Sequence, residues 1–272
     1  MTRRLLWAVV VGLLPLVVVG STTAQPPDTI LLEELTWTEL RAAIQAGKTT
    51  VIVPIGGTEQ NGPHMALGKH NARVKALAER IGRLLGNAVV APVIAYVPEG
   101  ALQPVTGHMR FPGTITVADD VFQRGLESAA QSFRLHGFRD IVFLGDHGST
   151  QAGQKAVARK LNREWQAGPV RAHAIEQYYR AATHDFRELL RARGYRADEL
   201  GEHAALADTS LTLALEPRLV RRAPPGTNDR LPGLGTGVDG DPSRASADLG
   251  RLGVELIVSR TIAAIRESTT PR

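Results

Sequence analysis

Short apolar runs alternate along the chain with longer segments in which apolar residues recur at helical spacing. Four short, largely apolar runs predict buried β-strands: residues 50–55, 88–96, 140–144 and 170–175. Amphipathic helices are predicted at residues 35–47, 71–85, 117–136, 151–166 and 245–266, with a further helical piece at 210–214. Strands that alternate with helices favour a mostly parallel sheet covered on both faces. We therefore predict the α/β fold class, as a three-layer α/β/α sandwich with a mostly parallel central sheet.

The first 24 residues differ in pattern from the rest of the chain. Arg3 and Arg4 precede an uncharged apolar run from Leu5 to Gly20, and small residues follow up to Ala24. This layout predicts a signal peptide at 1–24, with 25–272 as a single exported domain in the periplasm or outside the cell. The alternative is an uncleaved membrane anchor, although the run is shorter than the roughly 20 residues that usually span a bilayer.

Composition narrows the classes of protein that this chain can be. The 272 residues carry 32 Lys and Arg against 27 Asp and Glu, a net charge of +5. Because the positive excess is small and aromatic residues make up only 5%, we expect no nucleic-acid partner. The absence of Cys excludes disulfides and thiolate metal sites.

Polar loops follow two of the predicted strands, and the carboxyl ends of strands are where α/β sheets place their sites. One loop follows Ile55 and the other follows Leu144. Together they offer Glu59, Asn61, His64, His70, Asp146 and His147. Carboxylates and imidazoles gathered at one sheet edge can bind a divalent cation such as Zn²⁺, whereas a lone loop histidine or a Gly- and Pro-rich turn needs no ligand.

Five ordered segments carry a resemblance to a known family. They are Pro54–His70 (PIGGTEQNGPHMALGKH), His108–Thr116 (HMRFPGTIT), Gly137–Gly148 (GFRDIVFLGDHG), His203–Ser210 (HAALADTS) and Gly237–Pro242 (GVDGDP). Each resembles a signature of the creatininase (creatinine amidohydrolase) family, and the match spans about residues 35–266. The resemblance implies an α/β/α sandwich, hydrolysis of C–N bonds with divalent Zn²⁺ or Mn²⁺, and a homo-oligomer, typically a hexamer.

The resemblance also implies site residues, with departures at three positions. Glu59 and His147 match metal ligands of the family. Asn61 stands where the family has a ligating His, His70 where it has a bridging Asp, and Ser149 where creatininases have a further Glu. We therefore predict one ion held by Glu59, His70 and His147, a competent Zn²⁺ set with an open position for water.

Two other ligand arrangements remain open. A second ion could be completed by Asn61, Asp146 or Asp208, or the metal could be lost altogether. The acid–base candidates are Glu202 and His203, because the family's matching His lines the site. Asp208 is also a candidate helix N-cap, and His64 and His108 are candidates for shaping the pocket or contacting substrate.

Three functions follow as hypotheses. The first is a metal-dependent amidohydrolase that acts on a small amide, a cyclic amide or a short peptide. The second is a non-catalytic periplasmic binding or assembly protein on the same fold. The third is a lactonase that uses the same site. Membrane contact is expected only through the signal segment, if that segment is not cleaved.

Overall fold

A computed structural model of the protein describes residues 28–221 and 235–270. Within these ranges, four strands form one parallel sheet in the order β2–β1–β3–β4. The strands are β1 (Thr50–Ile55), β2 (Ala88–Val90), β3 (Asp140–Gly145) and β4 (Arg171–Ala174). The topology confirms the predicted α/β class and the parallel sheet.

Helices cover both faces of this sheet. The α-helices are α1 (Trp37–Gln45), α2 (Lys69–Leu85), α3 (Asp119–Leu135), α4 (Thr150–Glu164), α5 (Glu176–Arg180), α6 (Phe186–Arg191), α7 (Ala197–Leu200), α8 (Leu206–Leu215) and α9 (Ala247–Thr269). A π-helical turn (Ala181–Asp185) joins α5 to α6, and 3₁₀ turns lie at Leu32–Glu34, Gly107–Arg110 and Pro217–Leu219. None of the helices in the described ranges is long and apolar enough to cross a membrane.

Side chains of the central strands point alternately into two hydrophobic cores. On β1, Ile52 packs with residues of α2, α8 and α9, whereas Val51 and Val53 pack with residues of α3 and α4. Successive strand residues face opposite sides of a sheet, so a strand covered on both faces must be apolar throughout. Every residue of β1 is indeed buried, and the three-layer arrangement is confirmed.

Most predicted elements match the structure within a few residues, with one clear correction. The second strand ends at Val90 and does not continue to residue 96. Pro92 has no N–H to donate to a sheet ladder, and the chain returns to β1 only at an isolated bridge between Ile94 and Ile55. The predicted signal peptide at 1–24 and much of the Gly- and Pro-rich loop at 223–244 lie outside the described residues.

The topology places the candidate chemistry at one edge of the sheet. β1 and β3 are adjacent and parallel, so the loops that follow Ile55 and Gly145 leave the sheet side by side. The backbone N–H of Asp146 donates to the carbonyl of Ile55 at 2.9 Å, which ties the two loops together where they begin. The segment that follows β2 joins them through the hydrogen bond from Gly56 N–H to Ile94.

Candidate metal centre

Glu59 is the central side chain of the site, and it is completely buried. Its Oε1 lies 2.7 Å from His70 Nε2, and its Oε2 lies 3.0 Å from His147 Nε2 and 3.1 Å from His108 Nε2. Burial would raise the pKa of Glu59, but hydrogen bonds to His147 and His70 outweigh it and hold that pKa far below the usual range. Glu59 is therefore a carboxylate surrounded by three imidazoles.

A second carboxylate reaches the same place from the segment that follows β2. Glu99 Oε2 lies 3.2 Å from His147 Nε2, and the Glu99 side chain is fully buried. Burial raises the pKa of Glu99 to about 8, with the Glu59 carboxylate adding to the shift and His147 opposing it. Glu59, Glu99, His70 and His147 are called the carboxylate–imidazole cluster below.

Protein groups hold His70 and His147 through Nδ1, so that Nε2 of each ring faces Glu59. His70 Nδ1 lies 2.9 Å from Asp146. His147 Nδ1 lies 2.7 Å from the Ser149 hydroxyl, which donates to the Pro98 carbonyl, and 3.3 Å from the Ser149 N–H. The Glu59 carboxylate can only accept, so each Nε2 donates to it, and a bound cation would take the place of those protons.

The carboxylates of Glu59 and Glu99 favour a proton on Nε2 of His147. Burial alone would lower the pKa of His147, but the hydrogen bond to Glu59 and the charges of Glu59 and Glu99 outweigh burial and raise it. A proton and a divalent ion therefore compete for the same nitrogen, which makes cation binding dependent on pH.

The proton of His108 is assigned by a neighbouring amide. The Gln60 amide is oriented by the Gly62 N–H, which donates to its Oε1 at 2.8 Å, and by the Gly237 carbonyl, which accepts from its Nε2 at 2.9 Å. That orientation directs the other amide proton of Gln60 to His108 Nδ1 at 2.9 Å. The neutral His108 ring therefore carries its proton on Nε2 and donates it toward Glu59.

A second group of charged side chains lies directly beneath the first. Asp146 accepts from Arg73 Nε at 2.8 Å and from the Tyr178 hydroxyl at 2.9 Å. Asp208 accepts from Arg73 at 2.7 Å and from Lys69 Nζ at 2.5 Å. Lys69, Arg73, Asp146, Asp208 and Tyr178 are called the ion-pair cluster below.

The ion-pair cluster is electrically balanced. Two cations face two carboxylates, and Lys69, Arg73 and Asp146 are buried. Burial would raise the pKa of Asp208, but Lys69 and Arg73 hold it well below the usual range. The ion-pair cluster contacts the carboxylate–imidazole cluster through His70. It therefore fixes the ring of His70 in place.

His203 approaches Glu59 from the segment between α7 and α8. Its Nε2 lies 2.9 Å from the Gln60 carbonyl, which can only accept, so Nε2 carries the proton and Nδ1 keeps a lone pair. Nδ1 lies 3.8 Å from Glu59 Oε1. Burial, together with the charge of Lys69, lowers the pKa of His203 to about 4. The next residue, Ala204, has a φ of 54°, a left-handed backbone that non-glycine residues rarely adopt.

The structure does not bring Glu202 to the two clusters. Its side chain is 79% exposed and lies 3.6 Å from Arg187. It lines a cavity of about 220 Å³ together with Tyr179, Thr183, Arg187, His203 and Asp208. His203 and Asp208 thus connect this cavity to the clusters, whereas the Glu202 carboxylate faces Arg187 and solvent.

Asn61 and His64 hold the loop after β1 instead of joining the carboxylate–imidazole cluster. The Asn61 amide donates to the backbone carbonyls of Glu59 at 2.9 Å and Ala66 at 3.2 Å. His64 Nε2 lies 3.0 Å from the Thr209 hydroxyl, which itself donates to the Ala204 carbonyl. Asp208, a predicted alternative ligand, lies in the ion-pair cluster. The prediction that Asp208 caps a helix is wrong: α8 begins at Leu206 after the N-cap Ala205, and Asp208 lies in its first turn, where its Oδ2 accepts from the Ala204 N–H at 3.1 Å.

A divalent cation would find a ready set of ligand atoms here. Within the described ranges, ligand atoms of Glu59, His108 and His147 lie within 4.8 Å of one another. His70 Nε2 faces the other oxygen of Glu59. Nδ1 of His108 accepts from Gln60, so that ring keeps its proton on Nε2, whereas on His70 and His147 a cation would replace the proton of Nε2. The donor set is therefore suited to a divalent ion.

Comparisons with known proteins identify the fold class and then the family. The structure is similar to that of a glutamate-to-glutamine mutant of creatininase in its Zn–Zn form, with 25% sequence identity and a TM-score of 0.71. The match covers 90% of this chain and 100% of the solved structure. The family model for creatininase (creatinine amidohydrolase) matches residues 33–265. The chain therefore belongs to the creatininase family.

Two curated relatives illustrate the range of this family. Creatinine amidohydrolase of Pseudomonas putida is 27% identical over 263 residues, which cover 89% of this chain and 98% of that protein. The mycofactocin precursor peptide peptidase of Mycolicibacterium smegmatis is 32% identical over 119 residues, which cover 42% and 45% of the two chains. These two relatives are thus an amidohydrolase and a peptidase.

Several residues of the site, Lys69 and Tyr178 among them, were not predicted from the sequence, and three others show why. Glu99 follows Pro98 and lies outside the five family-like segments, so only its position just after an apolar run signals it. Arg73 lies on α2 among other cations, and its sequence neighbourhood resembles an exposed helix face. Gln60 sits inside the first signature, but its role depends on Gly237, 177 positions away along the chain.

Proposed function

We propose that this chain hydrolyses the C–N bond of a small amide, a cyclic amide or a short peptide with the help of a divalent cation. The observation that carries the proposal is the convergence of two imidazoles on the buried Glu59 carboxylate. His70 and His147 each point Nε2 at this carboxylate, where a cation would replace the proton, and protein groups fix both rings through Nδ1. A carboxylate or hydroxyl behind a ligating histidine is the usual support of a metal site.

Glu59, His70 and His147 would hold the cation. Zn²⁺ is the first candidate for this cation and Mn²⁺ is the second. Bound there, it would polarise an amide carbonyl and make water acidic enough to attack near neutral pH. The set of one carboxylate and two imidazoles leaves a coordination position open, as catalytic sites do. Membership of a family of hydrolases supports this assignment.

The neighbouring side chains supply the proton transfers. With a pKa lowered to about 4, His203 is neutral at pH 7, and its free Nδ1 faces the cluster. It can take a proton from the attacking water and return it to the leaving nitrogen. His108 holds its proton on Nε2, so it can donate a hydrogen bond to the oxygen on which negative charge develops.

The substrate would enter through the cavity that adjoins His203. Tyr179, Thr183, Arg187 and Glu202 line this cavity, and their mixture of polar and charged groups suits a small polar amide. In this arrangement Glu202 contacts substrate, and His203 carries the acid–base role.

The test combines metal content with hydrolysis. We expect elemental mass spectrometry to find about one Zn²⁺ or Mn²⁺ per purified chain, as for a single catalytic site. Chelation should abolish hydrolysis in a panel of creatinine, a formamide, a short peptide and a lactone, and the added metal should restore it. His147→Ala should lose both metal and activity.

Other outcomes separate the alternatives. A chain without metal after reconstitution would favour the non-catalytic periplasmic binding protein. Two ions per chain would exclude the single-ion site, and hydrolysis of the lactone alone would favour a lactonase. Export to the periplasm and assembly into a homo-oligomer, by resemblance a hexamer, are further parts of the proposal; cell fractionation and sedimentation would test them.

A further inference from the structure

The segment that carries Glu99 is held in place by contacts from two other parts of the chain. Its backbone N–H donates to the Thr116 hydroxyl at 2.9 Å. The carbonyl of the preceding Pro98 accepts from Ser149, next to His147. The bond from Val117 N–H to the Val97 carbonyl, at 3.2 Å, closes the segment. The position of Glu99 is therefore built into the loop.

The Glu99 carboxylate is buried without a partner for its oxygens. The residue is 4% exposed, and its side chain is fully covered. Within residues 28–221 and 235–270, neither carboxylate oxygen has a hydrogen-bond partner. A buried polar group without a partner costs about 1–3 kcal/mol, and more if it is charged. Such a group calls for an explanation in terms of what it binds.

Gly57 makes the space that Glu99 occupies. A Cβ atom at Gly57 would stand 2.5 Å from Glu99 Oε1, closer than real contacts allow, and Gly57 has a φ of 153°. A side chain at this position would push the carboxylate out of its place. The end of β1 is therefore shaped to admit a carboxylate from another loop.

His147 Nε2 contacts two carboxylates that come from different loops. It lies 3.0 Å from Glu59 Oε2 and 3.2 Å from Glu99 Oε2. Two ligand atoms that share an ion with bonds of about 2.0–2.1 Å stand about 3 Å apart. We infer that Glu99 binds the cation of this site directly, as a second carboxylate ligand added to Glu59, His70 and His147, with the attacking water as a fifth ligand. This inference rests on the proposed function.

Ser149 has a definite part in this arrangement. It stands two residues after His147, where creatininases proper carry a further Glu, as the family resemblance implies. Its hydroxyl instead holds Pro98, the residue before Glu99. The carboxylate missing from position 149 is thus supplied from another loop, and Ser149 positions that loop.

The experiment measures cation affinity and not activity. Purified wild type and Glu99→Gln are titrated with Zn²⁺ against a chromophoric chelator, and with Co²⁺ while the visible absorption is recorded. We expect Glu99→Gln to bind Zn²⁺ at least about tenfold more weakly and to show a shifted Co²⁺ spectrum. Glu199→Gln is the matched control, because that buried carboxylate pairs with Arg244 at 2.9 Å outside the site.

The outcomes distinguish this inference from the proposed function. If wild type binds no cation, both fall. If wild type binds Zn²⁺ and Glu99→Gln matches it in affinity and in the Co²⁺ spectrum, the inference alone is overturned.

A second variant guards against a folding defect in Glu99→Gln. Gly57→Ala leaves every carboxylate intact but displaces the one at position 99, so we expect a similar loss of affinity. The double variant should lose little more than either single one, because both changes remove the same contact. Full additivity in a double variant with native circular dichroism would contradict the inference.

Discussion

Two clusters of buried charge lie side by side at one edge of the sheet, and they differ in balance. In the ion-pair cluster every carboxylate has a cation or a hydroxyl donor, and the positive and negative charges cancel. In the carboxylate–imidazole cluster two carboxylates share the same imidazole nitrogen of His147, and one carboxylate has no hydrogen bond among the described residues.

The difference shows how one fold keeps the groups that hold a site in place apart from the groups that bind and react. A balanced cluster is complete by itself and can hold neighbouring groups rigidly. A cluster rich in acceptors is complete only when a proton or a cation joins it. His70 belongs to both environments, since one of its nitrogens faces Asp146 and the other faces Glu59.

The largest effect should come from unbalancing the ion-pair cluster. Arg73→Met leaves Asp146 and Asp208 without their shared cation. Breaking a buried pair in this way costs about 3–5 kcal/mol, and urea denaturation would measure the loss. Arg83→Met, on the same helix, removes an exposed pair with Glu79 and should cost less than about 1 kcal/mol. Equal losses in the two variants would contradict the contrast.

Two histidine variants should separate cation binding from catalysis. His70→Ala removes a proposed imidazole ligand, so the metal content should fall with the activity. His108→Ala removes a hydrogen-bond donor, so metal should stay while kcat drops by about 10²–10³, as for an oxyanion donor. Elemental analysis beside kinetics measures both. Loss of metal in His108→Ala would show that His108 is a ligand.

The pH dependence of stability should reveal Glu99 in metal-free protein. Its pKa is about 8 in the folded chain against 4.5 as the ordinary value. Between these values the folded protein keeps a proton that the unfolded chain has released, so this group makes stability fall as pH rises from 4.5 to 8. In chelator-treated samples, the stability of Glu99→Gln should not show this decline with rising pH. Parallel stability curves between pH 5 and 8.5 would exclude the effect.

The smallest effect should come from removing the hydroxyl that supports the loop of Glu99. Ser149→Ala removes the hydroxyl that lies between His147 Nδ1 and the Pro98 carbonyl. Groups that orient a ligand usually contribute about 10–100-fold to metal affinity, and we expect the low end here. The chelator titration would detect it. Ser132→Ala, an exposed hydroxyl bonded to its own helix, is the control and should leave the affinity unchanged.

Periodicity was enough to predict the central part of the fold. The apolar run of β1 and the amphipathic pattern of α2 lead directly to the sheet and its covering layer. The helices between Glu176 and Leu200 were missed. Their pattern is broken by the π-helical turn Ala181–Asp185, where the spacing departs from 3.6 residues per turn.

The candidate site was predictable only where the sequence brings ligands close together. Glu59 and His147 follow strand ends and fall within family-like segments. Glu99 comes from a third loop, and its approach depends on Gly57 and Ser149, which no local pattern connects with it. Proton positions also depend on three-dimensional contacts, so His70 and His108 look equivalent in the sequence and differ in the structure.

The burial of Lys69 makes this lysine a reporter of local opening. Its side chain is fully covered and its amine contacts Asp208, whereas Lys75, Lys155 and Lys160 are 42–47% exposed. An amine-reactive reagent therefore labels these three lysines in the native protein and reaches Lys69 only when the start of α2 separates from α8. Peptide mass spectrometry of the labelled chain thus measures how fast Lys69 is labelled, and so how often this part of the site opens, without substrate or metal.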